Sequence, residues 1–347
     1  MAPPPDRTAE LAAHECARIR FAGFIDFDAA RPGRLFAGCH FSLSTMHATI
    51  VAVLTQLLEN ISGVPVTPFG ADGAIDEVSL AAVVERMAAQ GVQVIVPCGG
   101  TGEFSALSAD ERDRVARITI EAAGATPVIV GVGGDVAGAA RAAGTAVAAG
   151  AAGVMTHALS DPYLTADGTV RYVEQVAAAT DGVVVPYIRG RLPSDATLER
   201  IVGIPQVVAL KWAIPDVQLF AGFAERFGSE IVPICGLAEL WAPFFALAGG
   251  RGFTSGLVNV DAGLSLALLA ALRDGAWAEA MRIWRAIRPF EELRARHDAG
   301  NNVPAVKEAM EIAGLISHAI VRPPLAPLSP ADRAELADVV RALAPVS

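Results

Sequence analysis

The chain has 347 residues and a formal net charge of −10, from 27 Lys+Arg against 37 Asp+Glu, and is 53% hydrophobic but only 18% charged. This is the composition of one large globular domain or two ordinary ones, and its acidic balance excludes a basic face built to neutralise phosphates, so no nucleic acid and no acidic membrane surface is expected as a partner. The longest apolar stretches, such as 264–272, are shorter than the roughly 20 residues of a bilayer span, and Cys16, Cys39, Cys98 and Cys235 lack disulfide-framework or zinc-ligand spacing, so a cytoplasmic location and no metal are expected.

Residues 1–59 open Pro-rich with scattered arginines and end in a mildly apolar patch at 46–58. A secretory signal would place its basic and apolar parts at the very start, which this segment does not do. Two readings stand: an N-terminal extension of uncertain order, or an upstream stretch ahead of a start at Met46. From residue 61 the pattern becomes regular. Short apolar or β-branched runs at 61–66, 92–97, 127–132, 153–157, 183–187, 207–211, 231–235 and 252–255 begin about 20 to 35 residues apart. That spacing leaves room for one crossover helix each, and most runs are continuously apolar, as strands buried on both faces are. Between them, 76–90, 108–123, 136–149, 169–180 and 195–202 read as amphipathic helices, several opening at a capping Ser, Thr or Asp.

Eight such units predict a (β/α)8 TIM barrel over residues 60–272. The competing reading, a doubly wound open sheet, calls for fewer strands and a Gly-rich phosphate turn after the first. Gly131-Val-Gly133-Gly134 follows the third run and lacks the full GxGxxG spacing. Residues 273–347 form a C-terminal helical region, with helices at 276–297, 304–313 and 330–343 packing beside the barrel or at an oligomer contact.

In such a barrel the active site lies where the strands end. The sixth run ends in Lys211, one of two lysines in a chain with 25 arginines; the other is Lys307. An ammonium at a buried strand end is costly to keep charged, and a lysine held partly neutral attacks carbonyls to form a Schiff base. The ordinary alternative is a stem laid on apolar surface with its head in water. The fifth run ends in Tyr187, whose phenol can pass protons to and from an imine; a strand-end tyrosine bonded to backbone is the alternative. Cys98-Gly99-Gly100-Thr101-Gly102-Glu103 presents glycines that let backbone N–H groups approach an anion, with Glu103 read as a structural carboxylate. Arg189 and Arg191 follow Tyr187 and suit bidentate carboxylate binding, or are surface charges of the loop. Ser255 ends the eighth run and can hydrogen-bond a substrate hydroxyl or carboxylate, or be a plain turn serine. His157 reads as a hydrogen-bonded structural histidine, and Lys307 as a packing or ion-pair residue.

These residues carry a resemblance. From about 61 to 328 the chain resembles the dihydrodipicolinate synthase/N-acetylneuraminate lyase family of class I aldolases and dehydratases, (β/α)8 barrels with C-terminal helices. The motifs occur in order: Gly63-Val-Pro-Val-Thr-Pro-Phe69, the Gly-Gly-Thr-Gly-Glu turn, Pro162-Tyr163, Tyr187, Lys211 and Val321-Arg-Pro-Pro-Leu325. The resemblance implies that Lys211 forms the imine with a 2-oxo acid, that Tyr187 relays protons, and that Gly100 and Thr101 cradle the substrate carboxylate. It also implies a small-molecule 2-oxo acid substrate and a homotetramer or homodimer. Dihydrodipicolinate synthases usually have two turn threonines and a Tyr-Tyr pair after the fourth-strand proline; here Gly100 and Leu164 replace two of those hydroxyls. The turn with Phe104, Pro162-Tyr-Leu164 and Arg189 instead resemble the branch that dehydrates 5-dehydro-4-deoxyglucarate, with Gly236-Leu-Ala-Glu239, Thr254-Ser255 and Asn259 as partial echoes. Ile188 departs from it, standing where an asparagine is usual.

The expected function is therefore a Schiff-base-forming dehydratase, possible decarboxylation included, on a 2-oxo sugar acid such as 5-dehydro-4-deoxyglucarate. The imine is itself the electron sink, so no cofactor is expected. Two alternatives stay open: a pyruvate-releasing retro-aldolase or dihydrodipicolinate synthase-like enzyme, and a non-catalytic barrel that binds an oxo acid.

Overall fold

Strands that are apolar throughout bury both faces only inside a layered fold, and here they do so in a ring. The computed structural model describes residues 43–343; residues 1–42, with Cys16 and Cys39, and residues 344–347 lie outside the described residues. Eight strands, β1 (Ile61–Gly63), β2 (Val94–Ile95), β3 (Ile129–Val132), β4 (Gly153–Thr156), β5 (Val183–Ile188), β6 (Ala209–Trp212), β7 (Val232–Cys235) and β8 (Gly252–Ser255), form one sheet in the order β2-β1-β8-β7-β6-β5-β4-β3. All named pairings are parallel. The β2–β3 seam is closed by a parallel bridge between Ile95 and Val128, with the Ile95 N–H donating to the Pro127 carbonyl at 3.0 Å. The sheet is thus a (β/α)8 barrel. An open doubly wound sheet would leave two free edges.

Eight helices surround the strands: α2 (Glu77–Ala89), α3 (Ala109–Ala122), α4 (Val136–Ala148), α5 (Ala166–Ala178), α6 (Asp195–Val202), α7 (Val217–Phe227), α8 (Ala238–Leu247) and α9 (Ala262–Arg273), preceded by α1 (Leu43–Leu58). Side-chain caps account for most of the starts. Asp76, Asp135, Ser194, Asp216 and Asp261 each accept a backbone N–H from the first turn, and Ser108 forms a full capping box with Glu111. The helix expected at 169–180 begins earlier because Thr165 caps it, accepting the Gly168 N–H at 3.0 Å. Periodicity did not single out α7, α8 and α9; α8 and α9 are the most apolar of the barrel helices, whereas α7 is amphipathic and buries Phe220, Phe223, Ala224 and Phe227. In α8 (AELWAPFFAL) few polar positions remain to mark a solvent face, since it lies between the barrel and the C-terminal helices.

The segment read as an extension supplies α1. Its Leu54 and Leu58 are buried with Val94, Ile129, Val183, Val232 and Ile234, the side chains that fill the barrel interior. After the barrel, α10 (Trp277–Ala299), α11 (Asn302–Ile312) and α12 (Pro330–Leu343) pack against one another, and α10 lies on α8 and α9. No helix among the described residues is long and apolar enough to cross a membrane.

Candidate active site

Every residue of the eight strands is buried except Tyr187, which is half-buried. Tyr187 on β5 and Lys211 on β6 are register partners, so the two side chains leave adjacent strands at the same height and on the same face. The Lys211 Nζ stands 4.3 Å from the centroid of the Tyr187 ring. Lys211 is 6% exposed. Burial, aided by the nearby Arg189 charge and opposed by Cys235, brings its pKa down to about 8. A useful fraction is then neutral amine near physiological pH. Burial pushes the Cys235 thiol up to about 12, so it stays protonated beside the lysine.

The Gly-rich turn follows β2. Cys98 and Glu103 adopt left-handed backbone at φ 55° and 58°, closing the turn tightly. A Cβ at Gly99 would lie 2.6 Å from the Val64 side chain, whereas one at Gly100 would meet nothing within 4 Å. Gly99 is therefore demanded by packing, and Gly100 leaves open space where a side chain would fit. Thr67 Oγ1 donates to the Gly102 carbonyl at 2.8 Å. Glu103 accepts the Arg322 N–H at 2.9 Å and forms a buried ion pair with Lys307, whose Nζ also donates to the Ile320 carbonyl at 2.7 Å. Both residues hold the turn against the C-terminal region. Asn259 clamps the neighbouring segment, accepting the Val66 N–H and donating to the Val64 and Gly256 carbonyls.

Gly100, Thr101, Tyr187, Arg189, Lys211 and Ser255, drawn from four strand ends and their loops, all border one cavity of ≈ 180 Å³. An adjoining cleft of ≈ 420 Å³ shares Tyr187 and Arg189 with it and is bordered also by His157, Leu164 and Arg191. Arg189 hydrogen-bonds the Tyr187 phenol, whose pKa is raised by burial against the opposing pull of that guanidinium. Arg191 instead donates to the Leu164 carbonyl at 2.9 Å, out in the cleft. His157 Nε2–H donates to the Cys98 carbonyl at 2.8 Å and its ring stacks on Phe104. Burial first, then Lys211 and Arg112, outweighs that hydrogen bond and brings the His157 pKa down to about 4, so the ring is neutral. Tyr163 is exposed, on the surface loop after β4.

Ser255 is wholly buried, and its hydroxyl is already engaged: it lies 2.5 Å from Glu239 Oε1 and accepts the Val258 N–H at 3.2 Å. Glu239 on α8 was not singled out as a functional residue from sequence; its only signal was its place in the Gly236-Leu-Ala-Glu239 echo. It also receives the Ser265 hydroxyl at 2.5 Å. Burial first, then Glu291, pushes its pKa up to about 7, against the two serines and Arg294. Arg294 of α10, paired with Glu291 and donating to Asn302 Oδ1 at 2.6 Å, forms a further wall of the cavity. Sequence gave no notice of these residues because they approach the barrel from the C-terminal helices.

Residues 57–343 match the dihydrodipicolinate synthetase family. A probable 5-dehydro-4-deoxyglucarate dehydratase from Ralstonia nicotianae is 33% identical over 300 residues, covering 84% of this chain and 95% of that protein. A 4-hydroxy-tetrahydrodipicolinate synthase from Thermomicrobium roseum is 35% identical over 282 residues, covering 78% and 90%. Among solved structures, a dihydrodipicolinate synthase from Oceanobacillus iheyensis superposes with a TM-score of 0.81 at 38% identity, covering 84% of this chain and 99% of that one.

Proposed function

The chain belongs to the dihydrodipicolinate synthetase family, a family of class I aldolase-type lyases, and on that footing we propose that it is a Schiff-base-forming hydro-lyase whose substrate is 5-dehydro-4-deoxyglucarate. The observation that carries the reading is the pairing of a buried, partly neutral Lys211 with Tyr187 across β5 and β6, in a cavity that also holds Gly100 and Thr101. Choice of substrate rests on three supports. Dehydratases are among the similar proteins. Arg189 adds positive charge beside the lysine for a second carboxylate. Gly100 and Leu164 leave out two hydroxyls that a dihydrodipicolinate synthase normally has.

Carbons are numbered from the carboxylate beside the oxo group. Thr101 and the backbone at Gly100 hold the C1 carboxylate, and neutral Lys211 adds to the C2 ketone. The carbinolamine hydroxyl leaves as water with the Tyr187 proton, giving an iminium and a phenolate. The phenolate removes a C3 proton and the enamine expels the C4 hydroxyl as a second water. The resulting conjugated iminium accepts the electron pair of the C5–C6 bond as carbon dioxide departs. Tyr187 returns a proton to C3, the C5 enol left by decarboxylation transfers its hydroxyl proton to C4 and becomes the aldehyde, and hydrolysis, using one water, frees Lys211 and 2,5-dioxopentanoate. Substrate dianion and one proton become product monoanion, carbon dioxide and water. We expect a cytoplasmic enzyme, from the cysteine pattern, and a homodimer or homotetramer, from the family resemblance.

Borohydride reduction with pyruvate, followed by peptide mass analysis, is expected to label Lys211; an unlabelled Lys211 removes the enzymatic reading. Carbon dioxide with a semialdehyde is the expected outcome from 5-dehydro-4-deoxyglucarate. Pyruvate as product would identify a retro-aldolase instead.

A further inference from the structure

The elimination needs an acid for the leaving hydroxyl, and the residues already assigned do not supply one. Thr101 holds a carboxylate, Tyr187 cycles its proton between nitrogen-side water and C3, and the His157 Nε2–H is committed to the Cys98 carbonyl. The proton consumed in each turnover enters elsewhere.

Glu239 is a carboxyl with no ion pair of its own among the described residues. It is completely buried, Oε1 takes the Ser255 and Ser265 hydroxyls, and Oε2 has no hydrogen-bond partner among the described residues. The residue before it, Ala238, has a left-handed φ of 56°, strained for a residue with a Cβ. The charged or titratable groups around Glu239 are Glu291 and Arg294 of α10, which pair with each other, and Cys235 of β7. Between Glu239 and the cavity stands Ser255.

We propose, building on the dehydratase reading above, that Ser255 and Glu239 form the proton relay to the leaving C4 hydroxyl. Ser255 gives its hydroxyl proton to the departing oxygen and takes another from the Glu239 carboxyl. With the proton on Glu239 Oε1, the Ser255 bond reverses: the carboxyl donates, the other lone pair of Ser255 keeps the Val258 N–H, and the Ser255 O–H turns to the cavity. The enamine electron pair breaks the C4–O bond, the oxygen leaves as water, and Glu239 is left as carboxylate until solvent reprotonates it. This accounts for the one proton taken up per turnover. Burial and Glu291 keep Glu239 protonated up to about pH 7, so it enters the cycle as an acid. Ser255 touches substrate; Glu239 acts through it as a positioning and proton-holding residue.

Glu239→Gln preserves the shape and the serine hydrogen bonds but carries no transferable proton, and Ser255→Ala removes the middle link. Both variants are expected to retain full borohydride labelling of Lys211 by pyruvate while kcat for 5-dehydro-4-deoxyglucarate falls at least about 100-fold. Once Lys211 is within the imine its own titration leaves kcat, so wild-type kcat should decline as pH rises through about 7, and that limb should vanish from the residual Glu239→Gln activity. A Glu239→Gln enzyme within about threefold of wild-type kcat, or one that keeps the limb, overturns the relay and leaves the lysine chemistry standing. Loss of labelling in the variants also overturns it, since Glu239 would then be needed to build the site. An unlabelled Lys211 in wild-type protein overturns the dehydratase reading, and the relay with it.

Discussion

Burial of an amine at the end of β6 works against folding, because Lys211 is protonated in the unfolded chain up to about pH 10.5 but in the folded chain only up to about 8. The folded state therefore binds fewer protons between those values, and the stability contributed by this group rises with pH through that window. Lys211→Met should abolish borohydride labelling yet stabilise the protein at pH 7 by about 1–3 kcal/mol, the gain shrinking to nothing by pH 10.5; thermal melts across pH check this. A variant no more stable at pH 7 than the wild type would mean that the ammonium is solvated in the cavity. Tyr187 makes a different prediction. Tyr187→Phe keeps the ring under Lys211 Nζ but loses the phenol that Arg189 binds, so kcat should drop about 10²- to 10⁴-fold with little change in thermal stability. Lys211 was marked as a candidate from sequence by its strand-end position and the scarcity of lysine in the chain, whereas Glu239 was hidden by the distance in sequence between α8 and its serine partners on β8 and α9.

Elements were legible to the extent that their residues alternate or cap in a way one strand or helix can determine alone. Residues 195–202, 252–255 and 330–343 were expected with the ends the structure has. β5 runs one residue past the expected 183–187, while the remaining strands were expected one to four residues longer than observed, since apolar side chains continue beyond the paired backbone, as at Val64 and Val66. Helix α1 had only a mildly apolar stretch to announce it. Its stability comes from the barrel interior that Leu54 and Leu58 enter, and a helix of 16 residues is marginal alone. Leu54→Ala and Leu58→Ala are each expected to cost about 2–5 kcal/mol in denaturant unfolding while leaving KM unchanged, because both lie away from the catalytic cavity. A cost below about 0.5 kcal/mol would show that α1 does not close the barrel interior in solution.

At the scale of the whole molecule the C-terminal helices are part of the site. Lys307 of α11 pairs with Glu103 of the Gly-rich turn, and Lys307 and Arg322 each stand 4.1 Å from the Phe69 ring centroid. Arg322 also grips Glu111 at 2.9 and 3.0 Å and the Gly73 carbonyl at 2.7 Å. Removing one member of a buried ion pair strands the other charge. Lys307→Met is therefore expected to cost about 3–5 kcal/mol and to raise KM by loosening the turn, and Glu103→Gln added to it should recover part of the loss. A double variant whose cost equals the sum of the Lys307→Met and Glu103→Gln costs measured singly would show that the pair is not coupled. Light scattering should give a mass that is a multiple of 35.9 kDa, two or four subunits, with a monomer overturning the family-based expectation.

By itself the sequence determined the repeating βα plan and the family, and it marked Lys211 as the candidate for the proposed imine, because strand burial, helix capping and an amine at a strand end are local signals in residues a few positions apart. Tertiary structure decided which side chains share the cavity. It set Tyr187 and Lys211 in register, closed the ring between β2 and β3, turned Ser255 onto Glu239, and brought Lys307 to Glu103 across 204 positions of chain. Those contacts depend on strand register, on helix packing from the far end of the chain, and on desolvation that none of the residues creates alone.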